Sequence, residues 1–262
     1  MVSVKPAPTD GRVALYSIGS GRPLLKPLYQ NVFHRKLMEP TIRPRVKICC
    51  ISSMNEANLA IRYGAAAIGL VSEMPSGPGI VSEGLIAQVT TKVPPGVSSF
   101  LLTSKFDTLA IVAQQRRLGV NTIQICDRLQ WGSHDDLRQA LPGIAIVQAI
   151  HITSEAAIEE ALAVAPSVSA LILDSGNPLL PEKELGRTGR VHDWTISRRI
   201  RELVNVPVFL AGGLTPDNVK DAIQAVQPFG VDVCSGVRTN GKLDEDKLSE
   251  FFNQVYKSFK TQ

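Results

Sequence analysis

From Val46 onward, short runs of β-branched and aliphatic residues alternate with longer stretches whose apolar residues recur every three or four positions. The runs are VKICC (46–50), AAIGLV (66–71), VSSFLL (97–102), NTIQIC (121–126), IAIVQAI (144–150), SALILD (169–174), PVFLAG (207–212) and GVDVCS (230–235). Several of the stretches between them carry helix ends. Ser53 and Glu56 form a capping-box pair, Gly64 stands where a helix C-terminus favours a left-handed residue, and Asp193 precedes Trp194, Ile196, Ile200 and Leu203 at helical spacing. Thr215 and Pro216 read as an N-cap and a first-position proline ahead of Val219, Ile223 and Val226, while Leu248, Phe251, Phe252 and Val255 mark a closing helix. Strand then helix, eight times over, predicts an α/β protein: a single-domain (β/α)₈ TIM barrel over residues 45–262, with a large doubly wound sheet as the other architecture of this pattern.

In a barrel, successive strand residues point alternately to the outer helices and to the interior. Val46, Ile48 and Cys50 are then predicted to face outward and Lys47 and Cys49 inward. The same parity sends Ala170, Ile172 and Asp174 inward, with Gln124, Cys126, Asp232 and Cys234. Polar side chains thus gather near the C-terminal ends of the strands, where barrels of this kind carry their chemistry. A thiol at Cys49 and a carboxyl at Asp174 are the candidate reactive groups, and Asp232 reads as a structural acid for Lys47. Glycine-containing turns follow the last three strands: GRTG (186–189), AGGLTP (211–216) and CSGVR (234–238). Glycine lets backbone N–H groups approach an anion, and the loops after strands 7 and 8 are a common phosphate site. Gly212, Gly213, Ser235 and Gly236 are the expected phosphate-binding residues.

Composition and charge narrow the function classes. Residues 1–44 lack a sustained period, contain six prolines and read as a flexible N-terminal extension. Through residue 45 there are eight basic residues against two acids, so this segment supplies +6 and the remainder of the chain carries −2 of the formal +4. The extension is basic and poor in acids, so organelle targeting is one reading of it beside a cytoplasmic protein with a tail. The barrel region lacks a basic stripe with interleaved aromatics, which argues against nucleic acid, and no apolar run reaches the roughly 20 residues of a membrane span. The four cysteines, Cys49, Cys50, Cys126 and Cys234, do not have zinc-site or disulfide spacing. A metal site from Cys49, Cys126, Cys234 and His151 is a weaker reading than reduced thiols in a cytosol-like compartment.

The segments VKIC, LILDS, GRTGRVHDW, PVFLAGGLTPDNV and FGVDVCSGV, in this order and spacing, resemble phosphoribosylanthranilate isomerase of tryptophan biosynthesis. The resemblance covers about residues 45–258. It implies a cofactor-independent, metal-free enzyme that carries out an Amadori rearrangement of a phosphorylated aminosugar. The protein itself is expected in the cytoplasm, as a monomer or homodimer. The resemblance implies Asp174 as general acid and Cys49 as general base. An acid must hold its proton above the usual carboxyl range, and a thiol base must lose its proton below the usual thiol range.

The chain also departs from the family pattern. Cys50 stands for a glycine, Gly79 for an arginine that contacts substrate, Cys126 for a histidine, Asp127 for a glycine and Arg187 for a glycine. Arg187, Arg190 and Arg238 are candidate replacements for the missing cation. The departures leave two alternatives: a sugar-phosphate barrel with another substrate or reaction, and a non-catalytic phosphate-binding barrel. Residues 176–191 are long for a barrel connection and are read as a lid.

Overall fold

The structure is a computed structural model that describes residues 43–258. Eight parallel strands close into one barrel: β1 (Arg45–Ile48), β2 (Ala67–Val71), β3 (Ser98–Thr103), β4 (Thr122–Ile125), β5 (Ala145–His151), β6 (Ala170–Asp174), β7 (Val208–Leu210) and β8 (Gly230–Val233). Each strand pairs with the next, and β1 returns to β8 from Arg45↔Gly230 through Ile48↔Val233. That last pairing excludes the open doubly wound sheet.

The helices that follow the strands are α1 (Met54–Arg62), α2 (Glu83–Thr90), α3 (Thr108–Leu118), α4 (His134–Ala140), α5 (Ala156–Val164), α6 (Trp194–Leu203), α7 (Val219–Val226) and α8 (Glu245–Lys257). A small antiparallel ribbon, β9 (Arg238–Thr239) and β10 (Lys242–Leu243), lies between β8 and α8. Among the described residues no helix is long and apolar enough to cross a membrane. The extension read over residues 1–44 lies, up to residue 42, outside the described residues, as does any targeting role for it.

Strand parity separates two apolar shells. Val46, Ile48, Ile68, Leu70, Leu101 and Ile123 join the helices in the outer shell, whereas Ala67, Phe100, Leu102, Val147, Ile172 and Phe209 fill the interior. Lys47 crosses that interior fully buried, with its ammonium 2.9 Å from Asp232 Oδ2 and 5.1 Å from the centre of the Phe100 ring. Gly69 makes room for it: a Cβ there would lie 2.9 Å from Cys49 Sγ and 3.2 Å from Lys47 Nζ.

Three local expectations are corrected. Cys50 is not on the outer face. The strand ends at Ile48, Cys50 takes φ +61°, and its buried thiol joins the inner apolar cluster. Alternation holds only while the backbone stays extended. The capping box of α1 is half formed: Ser53 Oγ accepts from the Glu56 amide at 3.2 Å, but the Glu56 carboxylate accepts from the Ser52 and Leu243 amides instead. Helix α7 begins at Val219 and not behind Thr215. Asn218 Oδ1 accepts from the Thr215 amide at 2.8 Å and closes a turn over Pro216–Asn218 first.

Candidate active site

The end of β1 brings Cys49 to the mouth of the barrel, and the last residue of β6 brings Asp174. Both line one narrow cavity of about 20 Å³ with Arg187, Gly212, Gly213 and Ser235. Asp174 is held on both oxygens. Its Oδ1 accepts from the Ser175 amide at 2.7 Å, and its Oδ2 packs so closely on Gly186 that a Cβ there would stand 2.1 Å away. Gly186, at φ +88°, thus admits the carboxyl to the cavity on steric and conformational grounds together.

Cys49 is buried in an environment built for a thiolate. The neighbouring Cys50 thiol holds its pKa below the ordinary thiol range; burial opposes this, and the charges of Lys47 and Arg187 assist. Cys50 is pushed the other way, well above that range, by its contacts with Cys234 and Cys49. The Cys50 thiol itself donates to the Pro78 carbonyl at 3.8 Å and stays protonated beside Cys49. Burial weighs against the Lys47 ammonium, but Asp232 and the Cys49 sulfur keep it charged. Asp232 is pushed up to about 8 by burial against the pull of Lys47, which fits an Oδ1 that is buried without a partner. Cys126, buried on the inner face, is pushed up to about 12 by desolvation and stays a neutral thiol.

The loops after β6, β7 and β8 meet beside this pair. Gly212 and Gly213 take φ +84° and +61°, and their N–H groups make no hydrogen bond among the described residues. A Cβ at Gly213 would lie 2.6 Å from the Arg190 carbonyl carbon, and one at Gly236 would lie 1.9 Å from the Leu214 carbonyl oxygen. Glycine is what lets the three loops approach, and free N–H groups in such turns form a concave anion seat. The short 3₁₀ turn Ser235–Val237 closes its far side.

The sequence model of the N-(5'phosphoribosyl)anthranilate (PRA) isomerase family matches residues 46–254. The chain belongs to this family. It is 36% identical over 217 residues to N-(5'-phosphoribosyl)anthranilate isomerase 2 of Methanosarcina mazei, covering 82% of this chain and 95% of that relative. The phosphoribosyl anthranilate isomerase structure of Thermotoga maritima superposes with a TM-score of 0.67 at 27% identity, covering 82% of this chain and 99% of that one. A further structure of such an isomerase, in complex with reduced 1-(o-carboxyphenylamino)-1-deoxyribulose 5-phosphate, has a TM-score of 0.65 at 26% identity, with 82% and 99% coverage.

Against the PRA isomerase pattern, the three arginines proposed as replacement cations separate. Arg238 donates to both Glu56 oxygens at 2.9 and 3.0 Å, to the Cys50 carbonyl at 2.6 Å and to the Cys49 carbonyl at 3.2 Å, so it clamps the end of β1 from behind. Arg190 is exposed and ion-paired with Glu184. Neither lines the cavity. Arg187 does line it. His151 caps β5 with Nε2 2.9 Å from the Cys126 carbonyl, and no group of three or more His, Cys, Asp or Glu among the described residues could hold a metal ion.

Two contributors escaped sequence reading. Ser175 and Thr188 pair through their hydroxyls at 2.7 Å across the mouth of the β6 loop, and the half-buried His192 backs Gly212 with Nε2 2.7 Å from Ser197 Oγ. The hydroxyl in GRTG was a visible signal for the first. Only the folded loop reveals the second.

Proposed function

We propose that this PRA isomerase family member converts N-(5'-phosphoribosyl)anthranilate to the corresponding 1-(o-carboxyphenylamino)-1-deoxyribulose 5-phosphate, with Asp174 as acid and Cys49 as base. The convergence of a carboxyl and a thiolate-favouring sulfur on one cavity beside open N–H groups carries this reading. Asp174 gives its proton to the furanose ring oxygen as the C1′–O bond breaks and the anilino nitrogen becomes a protonated Schiff base. The Cys49 thiolate then removes the C2′ proton, and the electron pair neutralises the iminium to give an enolamine, which tautomerises to the ketone. The phosphate rests on Gly212, Gly213, Ser235 and Gly236, where it fixes C1′ and C2′ between the two catalytic groups. No cofactor takes part in these steps.

A cavity of about 20 Å³ holds little more than a water molecule, so the β6 loop must move aside to admit substrate. We place the reaction in a reducing, cytoplasm-like compartment, consistent with four free cysteines. All the proposed site residues come from one chain, so the chemistry asks for no second copy, and the oligomeric state is open between monomer and homodimer.

The test is turnover of phosphoribosylanthranilate, followed by loss of its fluorescence. Asp174→Asn and Cys49→Ala each lower kcat by about 10³-fold, within the range expected for loss of a general acid or base. Turnover that survives Asp174→Asn removes the acid assignment. A wild-type protein without turnover, whose melting temperature still rises with inorganic phosphate, is the phosphate-binding barrel of the alternative reading.

A further inference from the structure

Arg187 has three features that the chemistry above does not use. It sits at φ +57°, in the left-handed region that disfavours side chains, although glycines at φ +88° and +72° stand on either side of its turn at Gly186 and Gly189. Its two terminal nitrogens donate to the backbone carbonyls of Ser76 and Pro78, in the loop after β2. Its Nε is buried and has no partner. A guanidinium held in a strained turn, with one donor left unsatisfied at the edge of a cavity, is poised for an acceptor that the free protein lacks.

The other positive groups near the cavity are committed elsewhere: Lys47 to Asp232, Arg238 to Glu56 and Arg190 to Glu184. The proposed substrate has two anionic ends. The phosphate has its seat in the glycine loops, which leaves the ring carboxylate. We infer that Arg187 is the specificity determinant that receives this carboxylate, an inference that rests on the isomerase reading.

A carboxylate brings a full negative charge that the two backbone carbonyls lack, so it adds Coulomb attraction to the hydrogen bonds of the guanidinium. Arg187 therefore exchanges Ser76 and Pro78 for the substrate. That exchange releases the loop after β2 from the loop after β6, beside the cavity that Arg187 lines. A planar fork suits a carboxylate better than an ammonium does. The side chain thus couples admission of a carboxylated ring to opening of the site.

Two substrates made from ribose 5-phosphate, one with anthranilate and one with aniline, test this by a ratio. The wild type is expected to prefer the carboxylated substrate in kcat/KM by about a hundredfold or more, the range for a lost charge pair. In Arg187→Ala that preference falls below about tenfold, and Arg187→Lys retains an intermediate value. Any effect of Arg187 on the Cys49 thiolate lowers both substrates alike and cancels in the ratio. Equal losses for both substrates, or a wild type without preference, overturn the assignment. A wild type inactive on both substrates instead overturns the isomerase reading itself.

Discussion

The two ends of the barrel are built on opposite rules. At the N-terminal end of the strands, Phe209 lies edge-on to Phe100 and to Phe229, with ring centres 5.9 and 5.3 Å apart, beside a cavity of about 360 Å³. At the C-terminal end the cavity is about 20 Å³ and its lining includes two thiols, two acids and an arginine. Size thus points to the wrong end, whereas charge, backbone strain and open N–H groups point to the other. Two of the four non-glycine residues with positive φ among those described, Cys50 and Arg187, stand at the C-terminal mouth. Strain and uncompensated polar groups are tolerated where chemistry uses them, and the apolar floor holds the strands against that cost.

The largest effect on stability is expected at the floor. Phe209 is 7% exposed and touches two other rings, so Phe209→Ala should lower unfolding stability by about 3–5 kcal/mol. At a temperature where the variant remains folded, kcat/KM should stay within about threefold of wild type. Chemical denaturation beside a turnover assay checks both numbers. A large loss of activity in folded Phe209→Ala would dissolve the division between the two ends.

Lys47 joins the ends, and its replacement should be felt at both. Lys47→Met leaves Asp232 buried without its cation, a change worth about 3 kcal/mol, at the lower end of the range for broken buried pairs because the carboxyl can take up a proton. The sign follows from the folded state. A carboxyl whose pKa is raised above its unfolded value stabilises fully below that unfolded value and loses the contribution as pH rises through the folded one. Wild-type Asp232 reaches that point at about 8 with Lys47 beside it. Without Lys47 the window extends higher, so the stability gap between variant and wild type should widen above pH 8. Denaturant titrations at pH 6 and pH 9 measure it, and a gap that narrows would refute the pairing as described.

Much of this was legible in the sequence because two physical periods were. Alternation along eight short strands separates the outer shell from the interior and puts Cys49 and Asp174 inward. It also predicts the Lys47–Asp232 pair, which requires only that two inward residues on strands that close the barrel be level. What escaped lies where the chain leaves regular structure. Cys50 departs from its parity two residues after the strand's last residue, and α7 starts late because an asparagine side chain closes a turn ahead of it. Arg187, Arg190 and Arg238 look alike in a string of letters, but Glu56 and Glu184 occupy two of them through contacts across 182 and 6 positions. No local pattern encodes the first of these distances.

The smallest and sharpest contrast concerns Cys50. Its thiol is the neighbour that most lowers the Cys49 pKa, and its φ of +61° is one that glycine adopts freely. In Cys50→Gly the relief of backbone strain, about 1 kcal/mol, offsets the loss of a small buried side chain, so stability should change by no more than about 1 kcal/mol. The Cys49 thiolate loses the stabilising influence of that neighbour. Cys49, whose base form exists above its lowered folded-state pKa, then titrates higher, and the acid limb of the kcat/KM profile should move up by about one pH unit. At pH 8 the variant should match the wild type, and at pH 6 it should fall behind. An acid limb that stays in place would mean that Lys47 and Arg187 alone hold the proton off Cys49, and that the neighbouring thiol serves only to fill the turn.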